Sequence, residues 1–144
     1  MGQKSKTQAT GLHLQLASKP QNIARVEAFL KRVQQVVRLD EIQLNKVMVA
    51  LTEAVNNAIV HGNKADPSKR VQVLCDVTPE ALHFRVLDQG RGFDPGAVES
   101  PLKEENLLRE SGRGIFLMRT LMDRVSFFHH PDGMEVHLML RLAG

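Results

Sequence analysis

Apolar residues along the chain fall into blocks of different period. Leu12, Leu14 and Leu16 alternate with His13 and Gln15, the pattern of a half-buried strand. Ser18 and Gln21 make a capping-box pattern around Pro20, and Ile23, Val26, Phe29, Leu30, Val33, Val36 and Val37 recur at helical spacing. Asp40 with Gln43 predicts a second N-cap. The stripe Leu44, Val47, Met48, Leu51, Val55, Ala58 and Ile59 then predicts a second helix that ends at Gly62-Asn63. Residues 71–77 and 82–87 are β-rich runs separated by Thr78-Pro79-Glu80-Ala81, which predicts an antiparallel hairpin. Residues 88–114 are rich in Gly, Pro and charge, with weak helical character over 104–109, and a loop of that length in a compact domain is usually functional. A third helix is expected over 115–122, a strand over 124–128, and a last strand over 134–142 after the turn Pro131-Asp132-Gly133.

Strands in runs with helices collected between them, rather than strict βαβ alternation, predict an α+β fold: a two-layer sandwich of a mainly antiparallel sheet with helices on one face. The imperfect alternation of residues 134–142 suggests that this part of the sheet is covered on both sides.

A length of 144 residues, 42% of them hydrophobic and 24% charged, fits one compact soluble domain with a buried core. The chain shows neither a long apolar span nor a secretory leader, so a cytosolic protein with no membrane partner is expected. A single cysteine, Cys75, excludes an internal disulfide framework and a Cys-clustered zinc site, leaving packing as its role. Seven of the 19 Lys and Arg lie in the first 38 residues, against one acid there, Glu27. Residues 1–10 are therefore expected to form a flexible basic tail, with the folded domain over 11–144. With no Trp or Tyr, the chain lacks a base-stacking platform, and no direct nucleic-acid partner is expected.

Three features carry chemistry. From Val47 to Val60 the only charged side chain is Glu53, projecting opposite the stripe of Leu51 and Val55, with Asn57 and His61 one and two turns further along the same edge. Asp88-Gln89-Gly90-Arg91-Gly92-Phe93 directly follows a strand, where a carboxylate can accept from a ligand amine and the glycines permit close backbone approach. Ser111-Gly112-Arg113-Gly114 opens a helix, where free N–H groups, the helix dipole and Arg113 suit phosphate. Each has a plain structural alternative: a surface acid, a hairpin turn, and an ordinary helix start. Dinucleotide and P-loop patterns are both missing, so any nucleotide site follows another geometry. His129-His130 sits at a strand end and reads as a solvated edge rather than a pair of metal ligands.

Taken in order, Glu53-x-x-x-Asn57-Ala58, Asp88-x-Gly90-x-Gly92-Phe93 and Gly112-x-Gly114 resemble the Bergerat ATP-binding fold of gyrase, mismatch-repair ATPases and sensor histidine kinases. The stretches 52–62 and 110–118 are more closely similar to the anti-sigma-factor serine kinases, and the resemblance covers roughly residues 12–142. It implies an ATP lid at about 94–114, with ATP and Mg²⁺ as the bound groups. Glu53 then matches the general base, Asn57 the Mg²⁺ ligand, and Asp88 the acceptor of the adenine amine. Gly90 and Gly92 match residues that shape the adenine pocket; Gly112, Arg113 and Gly114 match the phosphate-proximal end of the lid. One departure concerns the adenine: Met134 stands where the superfamily commonly carries a Thr that assists the aspartate.

The resemblance further implies a homodimer that phosphorylates an anti-sigma-factor antagonist on serine and sequesters an RNA polymerase sigma factor. The runner-up is a nucleotide-dependent regulatory binding module without kinase turnover. A plain ATPase of the chaperone or topoisomerase sort is disfavoured by the lack of a transducer domain.

Overall fold

A computed structural model of the chain describes residues 11–90 and 112–142. The element order is β1 (Leu12–Ala17), a 3-10 turn (Pro20–Ala24), α1 (Arg25–Gln34), α2 (Glu41–Asn57), a π turn (Ala58–Gly62), β2 (Arg70–Val77), β3 (Ala81–Leu87), α3 (Gly112–Leu121), β4 (Arg124–His130) and β5 (Gly133–Arg141). The strands form one sheet in the order β1-β2-β3-β5-β4, every neighbouring pair antiparallel. The expected α+β sandwich is therefore present. The basic segment 1–10 and residues 91–111, which hold Gly92 and most of the expected lid, lie outside the described residues.

Register explains the core. Leu14, Val73, Val86, Val136 and Phe127 are aligned across all five strands, and Leu12, Cys75, Phe84, Leu138 and Val125 form the next row on the same face. The helices cover this face with Val26, Phe29, Leu30 and Val33 of α1, Val47, Ala50, Leu51, Ala54 and Val55 of α2, and Met118 of α3. Burial pushes the Cys75 thiol up to about 12, in keeping with a packing role. The opposite face carries His13, Leu74, Arg85, His137 and Ser126 as one row. No described helix covers β5 on that side. Its irregular pattern arises because Glu135, on the open face, is buried beneath Arg85 (4.0 Å) and His130 (2.8 Å), not because a second layer is present among the described residues.

The capping box of α2 forms as the sequence suggests: Gln43 N donates to Asp40 Oδ1 (2.7 Å), and Asp40 N to Gln43 Oε1 (2.9 Å). The first helix differs. Pro20 opens a 3-10 turn with no side-chain cap, and α1 ends at Gln34, leaving Val36 exposed. Ser18 does not cap a helix; its hydroxyl donates to Lys69 O (2.8 Å) and it is fully buried. The hairpin turn is closed by Thr78, whose N–H and hydroxyl both reach Ala81 O.

Candidate functional site

Helix α2 has an interior almost free of charge, so its one carboxylate stands out: Glu53 and Asn57, a turn apart, are both half-buried on the side facing α3. A methyl group built on Gly114 would lie 2.8 Å from Glu53 Oε1 and 3.4 Å from Asn57 Nδ2. The start of α3 thus rests directly on the acid and the amide, and glycine leaves the space between them open. Neither side chain has a hydrogen-bond partner among the described residues. Gly112 begins α3 and Arg113 is exposed beside it. An open helix start over an acid and an amide suits a phosphate chain and its cation.

Past Asn57 the helix widens into the π turn, in which Asn63 N reaches back five residues to Ala58 O (2.8 Å). Such one-turn widenings often occur at functional sites. Here it brings the backbone of Gly62 against Asp88, so close that a methyl group on Gly62 would sit 2.1 Å from Asp88 Oδ2. Gly90 presses in the same way on the Gly62 carbonyl, and Gly133, at φ +155°, on the Asp88 carbonyl. A side chain at Gly62 or Gly133 would collide with Asp88, and one at Gly90 with the Gly62 backbone that packs on it.

Asp88 Oδ1 accepts from Met134 N (3.0 Å) and Gly90 N (3.1 Å). Oδ2 accepts nothing from the described residues and remains available to a ligand donor. Burial raises the Asp88 carboxyl above its usual range; the two backbone donors, with Lys69 and His129 at longer range, only partly offset this. The departure noted at Met134 is met by the main chain: its N–H supports the carboxylate, and its C=O accepts from Asp88 N (2.9 Å). Beside Asp88 an open groove of about 750 Å³ is lined by Lys69, Gln89, Gly90, His129 and the Pro131–Asp132 turn, among others.

The structure thus brings Glu53, Asn57 and Gly114 together, and Asp88 and Gly90 together at the far end of the same helix. His61 is half-buried in the π turn, and His130 is paired with Glu135. Gly62, Gly133 and Asn63 also belong to the site, and sequence reasoning missed them because a Gly-Asn pair after a helix and a Gly in a turn both read as punctuation.

A one-face antiparallel sandwich with an acid and amide on its central helix, and an aspartate beyond strand β3, defines a histidine kinase-like ATPase domain. The chain belongs to that family, whose model matches residues 16–140. Among individual proteins it is 31% identical to the anti-sigma F factor of Anoxybacillus flavithermus over 137 residues, 92% of either chain. It is 29% identical to the serine-protein kinase RsbW of Bacillus licheniformis over 126 residues, 83% of this chain and 79% of that one. The crystal structure of the RsbU and RsbW domains of a Mycobacterium tuberculosis protein superposes with a TM-score of 0.67 at 18% identity, over 92% of this chain and 32% of that longer one, and shares its fold.

Proposed function

We propose that this protein is an ATP- and Mg²⁺-dependent protein-serine kinase that phosphorylates an anti-sigma-factor antagonist and sequesters an RNA polymerase sigma factor in the cytoplasm. The observation that carries this reading is the seating of Gly114 on Glu53 and Asn57, which supports an acid and an amide acting together at the start of a helix. Relatives named anti-sigma F factor and serine-protein kinase support the choice of acceptor and partner.

In this reading Asp88 Oδ2 accepts from the exocyclic amine of adenine, and Gly62, Gly90 and Gly133 allow the close backbone packing that holds Asp88 in place. The side-chain oxygen of Asn57 would hold Mg²⁺, which when bound would supply charge neutralisation at the phosphates. The N–H groups at the start of α3, with Arg113, stabilise charge on the transferred group. Glu53 takes the proton of the acceptor serine as its oxygen bonds to the γ-phosphorus and the bond from that phosphorus to the β,γ-bridging oxygen breaks, so that ADP leaves. Phosphoryl transfer is largely positioning and charge stabilisation, so this short list of groups suffices.

The test is capture of partners from the cytosol of the source cell on the immobilised chain, with ATP or ADP present, followed by radiolabelled γ-phosphate transfer to the retained proteins. A retained sigma factor, and a second protein labelled on serine only when Mg²⁺ is present, are expected. Nucleotide binding with neither labelling nor a sigma factor would refute the reading.

A further inference from the structure

Asn63, the residue just after the π turn, is polar yet completely buried, and all of its amide atoms are used. Nδ2 donates to Ser18 Oγ (2.7 Å) and to Arg70 O (3.0 Å), and Oδ1 accepts from Gln89 N (2.7 Å). Gln89 in turn accepts the Arg70 N–H on its side-chain oxygen, so Asn63, Arg70 and Gln89 close a ring of three hydrogen bonds. Ser18 anchors the ring from behind by donating to Lys69 O (2.8 Å). Immediately beyond Asn63 the chain passes through two consecutive left-handed residues, Lys64 and Ala65, each at φ 54°. Non-glycine residues are strained in that conformation and persist in it where surrounding contacts over-determine it.

The ring acts on one peptide. Gln89 N belongs to the peptide unit that leaves Asp88, so Asn63 Oδ1 fixes the backbone that carries the adenine acceptor. Met134 N and Gly90 N fix the carboxylate itself. Only a primary amide meets all three demands, because the position calls for two donors and one acceptor on a short side chain. An aspartate would set oxygen against the Arg70 carbonyl, and an apolar residue would leave the Gln89 N–H without its partner.

We propose that Asn63 is a positioning residue for base recognition, holding the Asp88–Gln89 peptide so that the open Asp88 oxygen meets an adenine amine and disfavours the oxo group that guanine carries in its place. The proposal rests on the nucleotide-binding reading above.

The experiment measures ATP and GTP dissociation constants, with thermal unfolding, for the full chain and for Asn63→Ala, Gln89→Ala and Ser18→Ala. Asn63→Ala is expected to lower the preference for ATP about tenfold, the scale of one well-placed hydrogen bond, by weakening ATP binding alone. Gln89 is exposed, so Gln89→Ala should fold as the parent does and lower the preference by about threefold. Ser18→Ala breaks buried hydrogen bonds without touching the Gln89 contact; it should melt earlier and keep the preference within about twofold. That contrast separates positioning from a purely structural role. If Asn63→Ala does not fold, Gln89→Ala decides alone. A parent that prefers ATP, with variants at 63 and 89 that prefer it equally, would overturn the Asn63 role and leave the kinase reading intact. A parent that binds ATP and GTP equally would overturn the Asn63 role together with the adenine assignment of Asp88, and a parent that binds neither would overturn the nucleotide-binding reading itself.

Discussion

Replacing Gly114 by Ala separates positioning from stability at the proposed transfer site. The new methyl would lie 2.8 Å from Glu53 Oε1, 3.4 Å from Asn57 Nδ2 and 3.6 Å from Glu53 Cβ. The last two are ordinary contacts; the first is not, and the carboxylate must recede by about 0.5 Å to reach a normal carbon–oxygen separation. That oxygen is the end of a flexible side chain, so the backbone can stay in place. Position 114 lies within α3, where Ala is more favourable than Gly by about 1 kcal/mol. The melting temperature should therefore hold or rise by a few degrees. A displacement of about 1 Å in a reacting group can cost about a hundredfold in rate, so half of that should lower serine phosphorylation by about tenfold. ATP affinity should change by no more than about threefold, since Asn57 and Asp88 stay where they are. The assays are thermal unfolding, nucleotide titration and single-turnover transfer of labelled γ-phosphate to the captured antagonist. A transfer rate equal to the parent's, or a loss of stability without a loss of rate, would refute the placement of Glu53 beneath the helix start.

Gly133→Ala should behave in the opposite way. Its methyl would stand 1.9 Å from the Asp88 main-chain oxygen at φ +155°, with no flexible atom to yield, and a chain that melts within about 2 °C of the parent would contradict this. Asp88→Asn should abolish the preference for ATP over GTP while raising the stability of the nucleotide-free protein at neutral pH. Because burial holds the folded pKa above the unfolded value of 3.8, charging this group costs stability at all pH values above the folded pKa, and that cost fades as pH falls through it; lower stability of the variant at pH 7 would count against this. His137 has the opposite charge logic. Burial first, and then the His83 ring 3.1 Å away with Arg85 and Arg124, lower its pKa below 6.5 against an opposing pull from Glu135, so the unfolded chain binds the proton more readily. Stability should therefore decline as pH falls below about 6.5, and His137→Gln should flatten that decline; parallel melting curves between pH 7 and 5 would refute it.

Much of this molecule was legible in the chain itself. Strand alternation at Leu12, Leu14 and Leu16, the Asp40–Gln43 cap and the α2 stripe are local signals, and the structure follows them within a residue or two. Glu53 stood out because it is the one charge on an apolar helix, and Asp88 because it ends a strand before glycines. The misreadings share one cause, a tertiary partner overriding a local motif. Ser18 has the spacing of a helix cap but bonds to Lys69 O, 51 residues away, and accepts from Asn63, 45 residues away. Glu135 breaks the alternation of β5 because the Arg85 and His130 side chains cover it. Gly62 and Gly133 look like punctuation in the sequence, and only the folded chain shows that both make room for Asp88.

The most direct test of the mechanism is single-turnover phosphorylation of the antagonist serine by Glu53→Gln, a change that keeps the side chain's size and removes its capacity to take a proton. The rate should fall by about two to four powers of ten while the Mg·ATP dissociation constant stays within about threefold of the parent's. A rate indistinguishable from the parent's would remove Glu53 from proton transfer and contradict the mechanism.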